Sequence, residues 1–377
     1  MKIAVDGTAL WGQRRYSGVE KVVDRILYRL CMEPRDSEIR ILVPEDWNGF
    51  EEDVFPAAGH ILRKRGDCTV ERLPFSGKQK LKRIFWQQFI FPVWLRRWGA
   101  DRVFCPTYVM PLLSPCPAVV IVHDLHGLDI RRTRPENFLH YCLVLPPTLR
   151  RARCVVTPTH AVLDELRPYL STRCQKFTAP WGVDQFFTPG PAGDLRYTPY
   201  LLSVGNLEKR KGLMLLLEAF ARVRRIHPNL NLVLAGKDQG LLAALQNEAK
   251  RLGVAEQVHF TGYVSQEELI QLYRGAAALA LPSEAEGFGF TPLEAMACGT
   301  PVVAVDTRAV RENLGNAALY AAASPESLAA ALLCALEEAP FRQSLREAGV
   351  ERAALFTWER TMDVIWQALL APEGRSL

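Results

Sequence analysis

The alternation of short apolar runs with helical patterns is the feature of this sequence that most narrows the folds open to it. Runs of four or five apolar residues recur along nearly the whole chain of 377 residues. This order predicts the α/β class, in which a parallel sheet is flanked by helices. The predicted strands are residues 2–5, 39–43, 102–105, 118–122 and 154–157 in the first half, and 200–204, 231–235, 258–261, 277–281 and 302–305 in the second.

A stretch rich in proline and glycine divides this alternation into two parts. Residues 178–199 carry four prolines and three glycines, a composition typical of a linker. The sequence therefore predicts two Rossmann-like domains, at residues 1–185 and 186–355. Ligands of open α/β sheets bind at the carboxyl ends of the strands, so we expect the two domains to face each other across a cleft.

The last helical pattern predicts that the chain returns to the first domain. Trp358–Leu370 places four apolar side chains on one face, namely Met362, Ile365, Trp366 and Leu369. We therefore expect residues 356–377 to form a helix that packs back on the N-terminal domain.

Composition and cysteine spacing favour a cytoplasmic setting. The chain is 49% apolar and 23% charged, which fits a soluble globular protein. Asp6 ends the first apolar run after three residues, so we expect no signal peptide, and no apolar run has the length of a membrane-spanning helix. The nine cysteines are scattered without a Cys-x-x-Cys pair. We therefore expect small core thiols in a reducing compartment, and neither a disulfide framework nor a zinc site.

The first half of the chain carries the basic surface. Residues 1–190 contain 28 Lys and Arg against 20 Asp and Glu. Within residues 78–98, six cations and no acid are interleaved with six aromatic side chains. Such a segment can lie on an anionic membrane surface, which would make the protein peripheral on the cytoplasmic face. A core helix with a solvated cationic edge has the same pattern. No recognised motif supports nucleic-acid binding, so we expect no nucleic-acid partner.

A glycine-rich loop with two carboxylates is the strongest candidate site. The segment Glu286-Gly-Phe-Gly-Phe-Thr-Pro-Leu-Glu294 follows a predicted strand. Its two glycines allow a close approach of the backbone to a ligand, and Thr291 and Pro292 resemble the N-cap and first residue of a helix. A helix N-terminus beside a glycine loop binds anions, so a phosphate-bearing ligand is indicated. The structural alternative is a capping box, in which Glu294 bonds back to the Thr291 N–H.

A run of three cations is the second candidate site. Lys209, Arg210 and Lys211 follow the strand at 200–204 and precede a helix whose apolar face is Leu213, Leu216, Leu217 and Phe220. Cations at a helix N-terminus are disfavoured by the macrodipole. An anionic partner such as a diphosphate would resolve this conflict through charge-assisted hydrogen bonds. The alternative is a solvated cationic turn.

Taken together, these motifs resemble the retaining GT-B glycosyltransferases of family 4, also called glycosyltransferase group 1. The resemblance is carried in the second half by Gly205-Asn-Leu-Glu-Lys-Arg-Lys-Gly212, Phe260-Thr-Gly-Tyr-Val264, Glu267-Glu-Leu-Ile-Gln-Leu-Tyr273 and Glu286-x7-Glu294. In the first half it is carried by Asp6-Gly-Thr-Ala-Leu, Gly18-Val-Glu-Lys and His123-Asp-Leu, and in the linker by Gly182-Val-Asp-Gln-Phe-Phe. It covers almost the whole chain and implies the GT-B architecture.

The resemblance also implies roles for individual residues. The catalytic group would be Glu286, His123, Arg210 and Lys211. The residues that bind the donor would be Gly18, Asn206, Lys209, Tyr263, Val264, Phe288, Gly289, Phe290, Thr291 and Glu294. Arg210 and Lys211 would neutralise a diphosphate, and Glu286 would orient the sugar. Many relatives have arginine where this chain has Asn206, so the arginine that binds phosphate is assigned to Arg210.

The implied activity is retaining transfer of a hexose or deoxyhexose from a nucleotide-diphosphate sugar. The acceptor would be a hydroxyl of a glycan or lipid-linked saccharide in cell-surface polysaccharide assembly. Mannose from a guanine nucleotide is mildly preferred, and uracil and thymine donors stay open. No Asp-x-Asp motif is present and cations supply the charge, so we expect no metal and no cofactor. The alternatives are a GT-B-fold sugar-nucleotide epimerase and a non-catalytic sugar-nucleotide-binding scaffold.

Overall fold

The chain contains two parallel sheets, each in its own compact unit. The computed structural model describes residues 1–10, 18–33, 35–50, 67–125, 135–193, 196–337 and 339–372. Unit 1 comprises Met1–Gly182 with Trp358–Leu377, and unit 2 comprises Val183–Thr357. The predicted boundaries, after residues 185 and 355, lie three and two residues away from these breaks. The two sheets confirm the predicted α/β class with two Rossmann-like domains.

Unit 1 is built on a seven-stranded sheet in the order β3-β2-β1-β4-β5-β6-β7. The strands are β1 Lys2–Asp6, β2 Glu38–Pro44, β3 Cys68–Leu73, β4 Arg102–Cys105, β5 Ala118–Ile121, β6 Cys154–Thr157 and β7 Gln175–Thr178. Neighbours pair in parallel, with Ile3 opposite Ile39 on one side and Arg102 on the other. The central strands are buried on both faces, as expected where helices cover a parallel sheet.

Unit 2 is built on a six-stranded sheet in the order β10-β9-β8-β11-β12-β13. The strands are β8 Tyr200–Val204, β9 Asn231–Ala235, β10 Val258–Gly262, β11 Ala278–Leu281, β12 Val302–Val305 and β13 Leu319–Ala321. Because β9 and β11 flank β8, the chain leaves β8 and β11 side by side at the carboxyl edge. This is the switch point at which ligands of such sheets bind.

The helices cover these sheets. In unit 1 they are α1 Gly18–Met32, α2 Lys80–Phe85, α3 Phe91–Trp98, α4 Pro135–Arg151 and α5 His160–Leu166, with a π-helical turn at Trp86–Ile90 between α2 and α3. In unit 2 they are α6 Leu213–Val223, α7 Leu242–Arg251, α8 Gln266–Gly275, α9 Phe290–Ala297, α10 Arg308–Leu314, α11 Pro325–Glu337 and α12 Ala339–Ala353. Among the residues described, no helix has the length and apolarity needed to cross a membrane.

The final helix, α13 Trp358–Leu370, belongs to unit 1. Its four predicted core side chains at 362, 365, 366 and 369 are all buried. The helix packs against β6, β7 and α1, and the Thr361 hydroxyl donates to the Pro180 carbonyl at 2.6 Å. The predicted return of the C-terminal helix to the first sheet is therefore observed. Residues 373–377, which the prediction included, lie outside the described part of the chain.

One pair of cysteines departs from the expectation of core thiols. A disulfide joins Cys31, near the end of α1, to Cys68, the first residue of β3, with their Cα atoms 5.1 Å apart. The topology brings α1 onto β3, and cysteine spacing alone carries no information about this contact. Cys142 and Cys334 also depart from it, because both are exposed.

Candidate functional site

The candidate site of unit 2 begins where the loops after β8 and β11 touch. Gly212, in the first of these loops, has φ +64 and is the N-cap of α6. A Cβ at this position would lie 2.2 Å from the carbonyl oxygen of Pro282 in the second loop. Only glycine accommodates both the left-handed backbone and this approach. The cation run and the glycine-rich loop are therefore held against each other by the backbone.

Three of the four predicted catalytic residues meet at this contact. The Lys211 Nζ donates to Glu286 Oε1 at 2.6 Å, and Arg210 Nη1 lies 3.8 Å from Glu286 Oε2. Arg210 also pairs with Glu208, at 2.7 Å between Nη2 and Oε1. Only 10% of the Glu286 side chain and 14% of the Lys211 side chain are exposed. The result is a nearly buried carboxylate between two cations at the switch point of the sheet.

Electrostatics keep Glu286 ionised. Burial by itself raises the pKa of this carboxyl, but the charges of Lys211 and Arg210, together with the Lys211 hydrogen bond, lower it more. The net effect is a pKa below the ordinary value for glutamic acid. At neutral pH the site therefore holds a carboxylate that can accept hydrogen bonds and two cations that can bind an anion.

The helix after the glycine-rich loop begins earlier than predicted. Its N-cap is Gly289, with φ +87, and α9 starts at Phe290, so Thr291 lies within the first turn. The prediction of Thr291 as N-cap and Pro292 as first helical residue is therefore wrong. Gly289 has no side chain to cap the helix, and with the N-cap at Gly289 the residues Thr291 and Glu294 do not occupy the positions of a capping box.

The loop that carries Phe288 and Gly289 is fixed by contacts within unit 2. The Asn313 side chain donates to the Phe288 carbonyl at 2.7 Å. The Phe288 ring packs edge-on against Phe290 and Phe356, with centroids 5.0 and 5.9 Å apart. The backbone N–H groups of residues 290 and 291 belong to the first turn of α9, at the N-terminal end of the helix. This geometry supplies the helix N-terminus that the sequence predicted.

Glu294 lies inside the unit and is 5% exposed. The Tyr273 hydroxyl donates to Glu294 Oε2 at 2.9 Å. Tyr273 is completely buried, and burial together with the charge of Glu294 raises its pKa far above the ordinary value. The phenol therefore stays protonated and remains a donor. Tyr273 ends the segment Glu267–Tyr273 that carries part of the family resemblance, but no local pattern indicates this contact across 21 residues.

The other predicted donor residues lie along the same edge of the sheet. Asn206 and Lys209 are exposed on the loop after β8. The Leu207 N–H donates to the Lys237 carbonyl at 2.9 Å, and the Gly236 N–H donates to the Gly262 carbonyl at 2.8 Å. These bonds tie together the loops after β8, β9 and β10. Tyr263, which is 54% exposed, and Val264 follow β10, two strands from β8.

Charge, rather than metal ligands, marks this site. Arg210 and Lys211 could hold an anionic group of a ligand. Within the described ranges of the chain, no group of three His, Cys, Asp or Glu side chains is arranged to hold a metal ion.

The two predicted residues of unit 1 lie at the carboxyl edge of its own sheet. His123 follows β5 and is buried, and its Nε2 donates to the Pro106 carbonyl at 2.9 Å. Burial lowers the pKa of His123, although that hydrogen bond and Asp124 oppose the shift, so the imidazole is neutral. Gly18 is the exposed first residue of α1. Residues 11–17, which precede it, lie outside the described chain.

A buried polar network beside β1 was missed by sequence reasoning. The Asp6 carboxylate accepts from the Thr8 N–H at 3.0 Å, from the Thr8 hydroxyl at 2.6 Å and from the Gln87 side chain at 2.5 Å. Gln87 reaches it from the π-helical turn, and its amide also donates to the Val109 carbonyl. Asp6 begins the segment Asp6-Gly-Thr-Ala-Leu of the family resemblance, but its partners were not predicted, and in the structure it is the last residue of β1. No sequence pattern indicated the π-helical turn at Trp86–Ile90, which carries Gln87.

The whole chain matches solved structures of glycosyltransferases. HepE from Anabaena, solved in complex with UDP and glucose, superposes with a TM-score of 0.73 at 19% identity, covering 99% of this chain and 100% of that one. Other neighbours of similar coverage are sucrose-phosphate synthase from Thermosynechococcus elongatus and WaaG, a glycosyltransferase involved in lipopolysaccharide biosynthesis. The architecture is therefore that of the GT-B glycosyltransferases.

Sequence comparison identifies the family. Residues 196–352 match the glycosyl transferases group 1, and residues 16–185 match glycosyltransferase family 4. A D-inositol 3-phosphate glycosyltransferase of Nocardiopsis dassonvillei is 31% identical over 75% of this chain and 68% of its own length. The O-antigen chain mannosyltransferase B of Escherichia coli is 32% identical over 44% of each chain. Three further D-inositol 3-phosphate glycosyltransferases are matched over 46–55% of their length. The chain belongs to the family 4, group 1 glycosyltransferases.

Proposed function

We propose that this glycosyltransferase takes its sugar from a nucleoside-diphosphate donor bound by unit 2. The observation that carries the proposal is the pairing of the nearly buried Glu286 with Lys211 and Arg210 at the switch point of the sheet. Two cations at this position can neutralise a diphosphate through charge-assisted hydrogen bonds. HepE, a neighbour of the same fold, is solved with UDP and with UDP-glucose, which supports the same donor class here.

The remaining residues are assigned around this centre. The N–H groups of Phe290 and Thr291 would bind phosphate oxygens at the start of α9. Glu294 would accept the ribose hydroxyls, and Tyr263 and Val264 would line the base. Glu286, with the backbone of residues 288 and 289, would orient the sugar hydroxyls. In unit 1, His123 would contact the sugar and acceptor, and Gly18 would approach the phosphate.

The proposed chemistry retains the anomeric configuration and uses no metal. The bond between the anomeric carbon and the β-phosphate oxygen breaks while the acceptor oxygen bonds to the same face of that carbon. The leaving phosphate takes the proton of the acceptor hydroxyl. Arg210 and Lys211 stabilise the charge that develops on the diphosphate.

The proposed sugar is a hexose or deoxyhexose, and mannose is the first to test. The name of the Escherichia coli relative supports mannose, and the D-inositol 3-phosphate glycosyltransferases support a polyol or saccharide acceptor. We assign the acceptor hydroxyl to a glycan or lipid-linked saccharide.

A thermal-shift panel of UDP-, GDP- and TDP-linked sugars tests the donor assignment. A donor at a hundred times its dissociation constant adds about 2.7 kcal/mol to the free energy of unfolding. Nucleotide release is then measured from the stabilising donor with and without a saccharide acceptor. Release that depends on the acceptor indicates transfer, whereas a change of sugar without an acceptor would indicate an epimerase, and no turnover would indicate a scaffold. A product of inverted anomeric configuration, detected by NMR, would contradict the retaining mechanism.

We further propose that residues 78–98 hold the protein at an anionic membrane surface. The helices and the π-helical turn of this segment expose an apolar stripe that is 47–83% accessible, consisting of Leu81, Phe85, Phe89, Ile90 and Val93. Five of its six cations are exposed around this stripe, namely Lys78, Lys80, Lys82, Arg96 and Arg97. An apolar face edged by cations is suited to lie among anionic lipid headgroups.

Vesicle sedimentation tests this surface. Replacing Lys80, Lys82, Arg96 and Arg97 with Gln should lower binding to phosphatidylserine vesicles by at least about tenfold, because each cation near such a surface contributes about 1 kcal/mol. The matched control replaces four exposed cations of unit 2, namely Arg225, Lys250, Arg251 and Arg308. Equal losses in both variants, or no loss in either, would contradict the membrane assignment.

A further inference from the structure

We infer that Tyr273 is a positioning residue for nucleotide binding, because its hydroxyl holds the Glu294 carboxylate in the orientation that accepts the ribose hydroxyls. The inference rests on the proposed nucleotide donor. It means that Tyr273, a buried residue outside both charged loops, contributes measurably to the affinity for the donor. The observation that supports it is the 2.9 Å hydrogen bond from the Tyr273 hydroxyl to Glu294 Oε2.

The position of Tyr273 is itself fixed by the last turn of α8. The Thr300 hydroxyl donates to the Tyr273 carbonyl at 2.5 Å, and the Tyr200 hydroxyl donates to the neighbouring Leu272 carbonyl at 2.7 Å. The Tyr273 ring packs edge-on against Phe187, with centroids 5.8 Å apart. A fully buried ring held at its backbone and at its edge has one available position for its hydroxyl.

That hydroxyl is suited to orient a carboxylate. Glutamate has three side-chain torsions, and fixing them is entropically unfavourable when a ligand must do it on binding. A donor already bonded to Oε2 fixes them before the ligand arrives, so less entropy is lost on binding. The raised pKa of Tyr273 keeps this donor protonated throughout the neutral and alkaline range in which the enzyme would be assayed.

The test measures dissociation constants for UDP and GDP, and for their 2′,3′-dideoxy forms, by calorimetry on the full chain. For whichever of UDP and GDP binds wild type more tightly, Tyr273→Phe should weaken binding about tenfold, because the hydrogen bond that orients the Glu294 carboxylate is lost. The dideoxy form, which has no ribose hydroxyls to place, should bind wild type and variant alike. General loosening of the fold would weaken both ligands together.

Two further variants test whether the loss of nucleotide affinity arises only from a disturbed fold. Tyr320→Phe is the matched control, because it removes a phenol hydrogen bond of 2.6 Å to the Gly315 carbonyl at the far strand β13. It should lower the melting temperature without changing either dissociation constant. Thr300→Val removes the hydroxyl that bonds to the Tyr273 backbone and should give a smaller, two- to threefold loss that is again confined to the ribose form. It replaces Tyr273→Phe if that variant does not fold.

The outcomes separate the inference from the function on which it rests. In a Glu294→Gln background, Tyr273→Phe should add no further loss of UDP or GDP affinity, because the two residues act as one unit. Additive losses, or equal weakening of ribose and dideoxy ligands, would overturn the role of Tyr273 while leaving the donor assignment intact. Failure of wild-type protein to bind UDP, GDP and TDP would overturn the proposed function and this inference with it.

Discussion

The carboxyl edges of the two sheets carry opposite kinds of polar chemistry. In unit 2, the edge holds an ionic cluster in which Lys211 and Arg210 flank Glu286. In unit 1, the edge holds a neutral imidazole bonded to a carbonyl and an aspartate bonded to hydroxyl, amide and backbone N–H groups. The same arrangement of strands thus presents a carboxylate paired with cations in one unit, and a carboxylate and an imidazole bonded to uncharged groups in the other.

The two edges are therefore suited to different kinds of ligand. Cations and an ionised carboxylate suit a ligand with a strong negative charge, and their interactions strengthen where water is excluded. Groups already hydrogen-bonded to uncharged partners suit hydroxyl groups. We therefore propose a charged donor at unit 2 and a hydroxyl acceptor at unit 1, and four measurements test this assignment.

The largest effect is expected at Glu286. Glu286→Gln keeps the shape but removes the charge that we assign to the sugar, so turnover should fall by about 10²- to 10³-fold. The melting temperature should shift by about 3 °C or less, as measured by thermal unfolding. Glu284→Gln, at an exposed acid of the same loop, is the control. Unchanged turnover in Glu286→Gln would remove the charged site from catalysis.

Removing a cation should have the next largest effect. Lys211→Met takes away the closest positive charge, so kcat/KM should fall about 10- to 100-fold. Loss of that charge also raises the pKa of Glu286, so the acid limb of the pH–rate profile should move to higher pH. The exposed Lys250 of α7, changed to Met, should alter the rate less than threefold. A profile that does not move would contradict the coupling between Lys211 and Glu286.

In unit 1, the expected effect is on stability. Gln87→Leu leaves Asp6 without one of its buried hydrogen bonds, and the free energy of unfolding should fall by about 1–3 kcal/mol. Urea titration measures this loss, with the exposed Gln79→Leu on the same segment as control. A loss equal to that of Gln79→Leu would mean that the network around Asp6 contributes little to unit 1.

The smallest effect concerns His123. Its lowered pKa means that the unfolded chain binds a proton near pH 6.5 while the native imidazole does not. The free energy of unfolding should therefore decrease as pH falls below about 6.5, by up to about 1.4 kcal/mol per pH unit from this group. His123→Gln should reduce that slope between pH 7 and 5, and the exposed His160→Gln provides the comparison. Equal slopes in wild type and His123→Gln would argue against a buried neutral imidazole.

Sequence reasoning found the largely buried central strands of both sheets and one edge strand, β10. β4, β6, β8, β9 and β12 have the predicted bounds, because their apolar runs begin and end with the strand. The three missed strands, β3, β7 and β13, are the other edge strands of the two sheets. Their sequences are Cys-Thr-Val-Glu-Arg-Leu, Gln-Lys-Phe-Thr and Leu-Tyr-Ala. Such short or mixed runs carry too little periodicity to be distinguished from loops.

The candidate site was predictable in its residues but not in its pairings. Local patterns indicated the cations at 209–211 and the carboxylates at 286 and 294. The contact between Lys211 and Glu286 spans 75 residues and depends on β8 lying beside β11, which no local pattern encodes. The start of α9 was predicted wrongly because Thr291 and Pro292 are residue types typical of an N-cap and of a first helical position. The helix instead begins directly after Gly289, whose positive φ turns the chain into it.

The absence of a side chain at Gly212 has a practical consequence for redesigning the donor preference. Because its α-carbon lies against Pro282, the distance between the two charged loops is set by main-chain contact and is insensitive to side-chain choice elsewhere. A library that varies the exposed Asn206 and Lys209 while keeping Gly212 and Pro282 should preserve the spacing of Lys211 and Glu286. Any larger residue at 212 would push the loops apart, so grafts from relatives should exchange both loops together.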